Sequence, residues 1–436
     1  MSVLLKEATL VEFWPSRVER GDLLVEEGRI VRRGRDLAVP AGAEVVDLAG
    51  RPVLAGMVCA HTHLYSALSR GMPASERAPT NFAEILDLVW WRLDRALDPE
   101  MIRLSALVGA IEALSAGTTS LIDHHASPEA IDGSLSILSE ALEEVGLRSL
   151  LCYEVTDRNG LDQARAGLAE SRRFLKREPR PLVRGMVGAH ASFTVGPDTL
   201  AGLAELARDT KTGLHIHVAE DPLDVADSRR RYGQGVVERL DEAGCLGPAT
   251  LIAHGTHLEA SELALVAERG AWMIHNPRSN MNNHVGYASV LDFGPKAALG
   301  TDGLGADMFE EARYAYFKAQ DVGRPLPTDR LMEMLTGGSR ILSEAFQVPV
   351  GRLEPGAVAD LVMLDGLPPT PLTADNLAGH LLFGWHRGLV ESVMVDGRWV
   401  MRKRRFVTID VDAVHAAARE AAGRLWSAMA EQRGKR

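Results

Sequence analysis

The sequence predicts an α/β protein: a (β/α)8 barrel joined to a small β-sandwich built by the N- and C-terminal segments together. Two observations predict the barrel. Short apolar runs recur eight times in the middle of the chain, most gaps between them holding an amphipathic helical stretch. Those runs end repeatedly in histidine or an acid. A third observation predicts the sandwich: strand-like segments with glycine turns and no helical period lie at both ends.

Residues 1–55 hold the first such segments, SVLLKEATLVEF, DLLVEEGRIVRRG and AEVVDLAGRPVLAG. Residues 355–408 hold the rest, including DLVMLDG and ESVMVDGRWVMRKRRFV. Neither end alone has enough strands to bury a face, so the two are expected to pair. Between them, residues 56–354 form the expected barrel, with strands at 56–61, 118–123, 148–155, 183–189, 213–218, 249–253, 271–274 and 297–299. Stretches such as PEMIRLSALVGAIEALSAG and SELALVAERG supply its helices. Residues 409–436 read as a final helix that packs on the barrel or the sandwich.

Composition narrows the function. With 436 residues, 46% of them hydrophobic, the chain can bury a large core. A net charge of −11 argues against nucleic acid or an anionic membrane surface as partner. The basic patches Arg229–Arg231 and Arg402–Arg405 read as solvated faces. Cys59, Cys152 and Cys245 lie far apart without a CxxC pair, which indicates neither a disulfide framework nor a thiolate zinc site. Acids interrupt the N-terminal segment, and no run reaches about 18 apolar residues, so a soluble cytoplasmic protein is expected.

Barrel chemistry sits at the C-terminal ends of the strands. Here those ends carry His61/His63, Asp123-His124-His125, Glu154, His190, His217, His254, His275-Asn276 and Asp302. His61 and His63 are two residues apart, so on an extended backbone both project to one face. With His217 and Asp302 they make a shell of three nitrogens and one oxygen, suited to one divalent ion, zinc or else ferrous iron. Burying four such groups without a shared partner would cost several kcal/mol. Glu220 lies three residues beyond His217, where the strand leaves the barrel, placed to carry protons rather than bind metal. His254 is open as a ligand, a base or a substrate contact, and His190 would reach substrate from the neighbouring strand.

At these residues the sequence resembles the amidohydrolase superfamily, in its purine and triazine aminohydrolase branch. The resemblance rests on GMVCAHTHLYSALSRG (56–71), SAGTTSLIDHH (115–125), GAHASFT (188–194), HIHVAE (215–220), LIAHGTHL (251–258), HNPRSNMNN (275–283) and LGTDGLGADM (299–308). Within the branch, HHASPEAIDGSL and CYEVTDRNG bring it nearest the SsnA group of aminohydrolases. The resemblance implies His61, His63, His217 and Asp302 as metal ligands and Glu220 as proton shuttle. His254 then orients or activates the nucleophile, and His190 contacts substrate. Binuclear relatives carry a carboxylated lysine on the fourth strand; VRGMVGAHAS has none, which implies a single ion. Relatives usually read HCPxSN where this chain reads HNPRSN. That difference makes Arg278 a candidate for an anionic part of the substrate, with Asn280 beside it. Trp91 and Asp94, in FAEILDLVWWRLDRAL, fall where relatives place substrate contacts.

The expected reaction is hydrolytic deamination of a nitrogen heterocycle (purine, pyrimidine or pterin-like) by a homodimeric enzyme. The same site is equipped to displace chloride from a triazine or to open a cyclic amide. A non-catalytic scaffold of the same fold is the alternative from another class, and the intact His61, His63, His217 and Asp302 argue against it.

Overall fold

The computed structural model describes residues 2–75, 77–177 and 180–432. Strands β1 (Ser2–Glu12), β2 (Arg17–Glu26), β3 (Arg29–Gly34), β4 (Glu44–Asp47) and β5 (Pro52–Ala55) precede the barrel. Barrel strands are β6 (Met57–Thr62), β7 (Thr118–His125), β8 (Arg148–Tyr153), β9 (Val183–Gly185), β10 (Val187–Ala191), β11 (Leu214–Val218), β12 (Leu251–His254), β13 (Trp272–His275) and β14 (Ala297–Leu299). They occupy the eight apolar runs, the fourth run being split into β9 and β10 at Met186. Pairing is parallel from β6 to β9 and from β10 to β14. Parallel bridges close the cylinder, Val155 with Ala189 on one side and Thr62 with Asp302 on the other.

Gly300 makes the second closure possible. A Cβ there would lie 2.5 Å from Asn276 Oδ1 and 2.7 Å from the Cβ of His61. Only glycine lets β14 approach β6 so closely. The amides of Thr301 and Asp302 then donate to the His61 carbonyl at 2.8 and 3.0 Å, which anchors Asp302 against the first strand.

Inside the barrel, the starts of the strands are apolar. Val58, Ile122, Leu150, Trp272 and Ala298 pack there with Ile341 and Phe346 of the helix Gly337–Phe346, which seals that end. The polar strand ends are left for the opposite mouth.

β15 (Leu361–Leu364), β16 (Val390–Val395), β17 (Arg398–Arg402) and β18 (Arg405–Phe406) join β5, β1, β2 and β3, with β4 beside β1, in a nine-stranded sheet. β1 shifts register between Leu5 and Ala8, so its first half pairs with β4 and its second with β5. The sandwich is therefore one sheet that curls over its own core: Leu23 and Val25 share a cluster with Leu361 and Met394, and Trp399 Nε1 donates to Glu44 at 3.2 Å. The final helix, Val411–Glu431, lies on the barrel: Trp426 Nε1 donates to the Leu68 carbonyl at 3.0 Å. Among the described residues, no helix is long and apolar enough to cross a membrane.

Candidate active site

A β-bulge aims the first two histidines. The register of β6 against β7 shifts between Cys59 and Thr62. Val58 and Ala60 face the barrel interior, and strict alternation would send His61 outward. The extra residue turns both His61 and His63 inward. His217 reaches the same point from the end of β11, and Asp302 from just beyond β14.

The metal-facing atoms converge. His63 Nε2 lies 3.1 Å from His217 Nε2 and 2.8 Å from Asp302 Oδ1, and His61 Nε2 lies 3.3 Å from the same oxygen. Tetrahedral bonds of about 2.0–2.1 Å set ligand atoms about 3.3 Å apart, so these spacings suit one zinc-sized ion. The outer nitrogens settle the tautomers. His63 Nδ1–H donates to the His124 carbonyl at 2.6 Å and His217 Nδ1–H to the His190 carbonyl at 2.7 Å. Burial drives the His217 pKa well below the usual imidazole value, so its Nε2 is bare. Against the same burial, the Asp302 and Glu154 carboxylates hold the His63 pKa well above it, which puts positive charge on His63 beside that lone pair and the Asp302 carboxylate. A site that gathers a cation among converging donors in this way suits a metal ion in the proton's place. His61 Nδ1–H donates to His215 Nε2 at 2.9 Å, and burial lowers the His61 pKa to about 3, keeping it a neutral ligand. The donor set has the character of a metal centre.

Glu220 and His254 stand beside it, with His254 Nε2 3.5 Å from Glu220 Oε2. His254 Nδ1–H donates to Asn280 Oδ1 at 2.8 Å, leaving Nε2 bare, buried and turned to the site. Burial raises the Glu220 carboxyl to about 7, against the opposing pull of His254. Ala219 adopts a φ of 49°, which turns the chain after β11; Asp224 Oδ2 holds that turn by accepting its amide at 2.8 Å.

One short helix, Pro277–Asn282, with the residues flanking it positions three of these groups. Ser279 Oγ donates to Asp302 Oδ2, Asn280 accepts from His254, and Asn283 Nδ2 donates to Glu220 at 3.2 Å. Two expectations change here. Asn280 is a positioning residue for His254 rather than a lining residue of the cavity. Arg278 points away: its guanidinium binds the buried Glu311, the half-exposed Glu310 and the Gly305 carbonyl, so its charge is spent within the protein and does not meet the cleft.

Above the centre opens a cleft of about 650 Å³, including its open mouth. Trp91, Asp94 and His190 line it. Glu154 was not singled out beyond its place at a strand end, yet it is buried 3.1 Å from both His63 Nδ1 and His124 Nδ1 and lines the cleft. Its position one residue past β8 carried the signal. Phe82, Leu86 and Phe193 also line the cleft; in sequence they look like ordinary packing residues.

Comparison with known proteins agrees with this geometry. Residues 53–400 match the amidohydrolase family. The chain is 32% identical over 422 residues to the 5-methylthioadenosine/S-adenosylhomocysteine deaminase of Desulforudis audaxviator, spanning 93% of this chain and 95% of that one. It is 30% identical to the 5'-deoxyadenosine deaminase of Methanothermobacter thermautotrophicus, spanning 94% and 95%. Among solved structures it resembles an adenosine deaminase from Xanthomonas campestris with bound zinc, with a TM-score of 0.84, 25% identity and 98% of each chain covered. The barrel, the donor set at its mouth and these likenesses agree, and the chain belongs to the amidohydrolase family.

Proposed function

We propose that this hydrolase removes the exocyclic amino group of an adenine-type nucleoside by hydrolysis and releases ammonia. The observation that carries the reading is the convergence of His61, His63 and His217 Nε2 with Asp302 Oδ1, directly beside a Glu220–His254 pair 3.5 Å apart. His61, His63, His217 and Asp302 would hold one divalent ion, zinc as the preferred occupant. When bound, it would supply the Lewis acidity that makes water nucleophilic near neutral pH.

The residues of the chain do the rest. His254, fixed by Asn280, offers a bare Nε2 as proton acceptor. Asp302, held by Ser279, offers a carboxylate beside it. Glu220, raised to about 7, can hold a proton at neutral pH, donate it to the ring nitrogen next to the attacked carbon, and take part in its transfer to ammonia. His190 and Trp91, with ring centroids 6.2 Å apart, form the wall against which the heterocycle lies.

Ammonia release from 5'-deoxyadenosine and 5'-methylthioadenosine tests the reaction. Glu220→Gln should retain metal while kcat falls by about 10²–10⁴. Asp302→Ala should lose metal and activity together. A His61/His63 double alanine variant that kept its full metal content would overturn the ligand assignment.

A further inference from the structure

A chain of hydrogen bonds joins Asp302 to Glu220 through the short helix Pro277–Asn282 and the residue after it. Asp302 Oδ2 accepts from the Ser279 hydroxyl. That hydroxyl has one hydrogen and the carboxylate claims it, so Ser279 Oγ meets its next neighbour as an acceptor. The neighbour is the buried Asn283, whose Nδ2 lies 3.3 Å from Ser279 Oγ and 3.2 Å from Glu220 Oε1. On its other side, Asn283 Oδ1 accepts from Asn282 Nδ2 at 3.1 Å. The reverse orientation of the amide would set oxygen against the Ser279 oxygen and nitrogen against the Asn282 nitrogen, and neither contact could hold a hydrogen bond. The amide is therefore locked, with one N–H on Ser279 and the other on Glu220.

Glu220 Oε1 must then be bare, because an O–H there would meet an N–H. From this we infer that Asn283 is a positioning residue that confines the working proton of Glu220 to Oε2, the oxygen 3.5 Å from His254 Nε2. The inference rests on the proton role given to Glu220 in the deaminase reading, and deepens it by naming the oxygen that performs the role. His254 Nε2 is bare and turned to the same space. The group that takes a proton from water and the group that gives one to the ring nitrogen thus face each other across one gap. A carboxyl free to carry its proton on either oxygen would present the wrong one for part of the time. Asn283 also lines the cleft, so a hold on Glu220 and a direct contact with substrate are the two roles to be separated.

The test uses the purified zinc-loaded enzyme with 5'-deoxyadenosine. Asn283→Leu, which removes the donor, should lower kcat by about tenfold or more while KM stays within about threefold and the zinc content is unchanged. Asn283→Asp keeps the size of the side chain but replaces the donor with an acceptor that draws the proton to Oε1, so it should cost more than Asn283→Leu. A milder loss for Asn283→Asp is what simple packing would give, and it overturns the inference. In a Glu220→Gln background either substitution should change kcat by less than about threefold, because the residue acts through Glu220. The full loss in that background would make Asn283 a substrate contact instead. Infrared spectroscopy separates the inference from the deaminase reading. At about pH 6, below the raised Glu220 value of about 7, the difference between the enzyme and Glu220→Gln should show the carboxyl C=O band of Glu220. Asn283→Leu should move that band to higher frequency, since a carbonyl that loses a hydrogen bond stiffens. An absent or unmoved band overturns oxygen selection and leaves deamination standing. A moved band without ammonia release from any nucleoside sinks deamination and supports oxygen selection.

Discussion

Asp302 and His254 carry φ angles of 55° and 74°, in the left-handed region that side chains with a Cβ rarely adopt. Such backbone costs about 1–3 kcal/mol per residue and persists where the surroundings enforce it. Here the His61 carbonyl holds Asp302 and Asn280 holds His254, so the strain serves aim. Asp94 shows another kind of tuning. Burial lifts its carboxyl to about 6 although Arg158 pulls the other way. Above pH 6 it is an ionised acceptor; below, it gains a proton and loses acceptor strength. KM for a neutral nucleoside should therefore rise as pH falls through about 6, and Asp94→Asn should show a KM that no longer varies there. Steady-state kinetics between pH 5 and 8 would show this, and an unchanged limb in the variant would remove Asp94 from substrate binding. At this scale residue type at a strand end was legible, as His61, His63, His217 and Asp302 show. Direction was not: Arg278 and Asn280 sit in the expected segment, but their side chains serve neighbouring protein groups.

At the scale of elements, the periodicity of apolar runs located every barrel strand to within a few residues, because buried parallel strands read as continuous apolar runs. The bulge in β6 left no such mark. It adds one residue of phase, and a shift of one residue exchanges the faces of a strand. The close approach of β14 to β6 was equally silent, since a glycine in LGTDG looks like any turn glycine. Gly300→Ala should push a methyl into Asn276 and His61, lowering stability by about 1–3 kcal/mol and metal occupancy with it. Denaturant titration with metal analysis checks both, and full occupancy in the variant would show that the closure is looser than its contacts imply.

At the scale of the whole molecule, the barrel and the terminal sheet are tied by charge. Arg148, at the start of β8, binds Asp360 at 2.7 and 3.1 Å and Asp396 at 3.1 Å while almost wholly buried. Breaking such a pair strands a buried carboxylate, so Arg148→Ala should cost about 3–5 kcal/mol by denaturant titration. The proposed metal site would be a second tie, because His217 on β11 lies across the cylinder from His61 and His63 on β6, while Asp302 stands beside β6 at the closure. An ion present at about 1,000 times its dissociation constant stabilises by about 4 kcal/mol. Chelation should therefore lower Tm by several degrees and abolish ammonia release, and added zinc should restore both. A Tm indifferent to chelation would count against a structural contribution from the ion.

The sequence by itself determined the order of the apolar runs that become the barrel strands, the ends at which chemistry gathers and the residue types of the candidate metal shell, because these follow from local periodicity and from side-chain chemistry. Tertiary structure alone decided which nitrogen of each imidazole faces inward, which acids line the cleft, and that Phe82, Phe193 and Val285 meet above it. Those outcomes depend on register and closure, and a single bulge or a single close approach between distant strands is enough to change them.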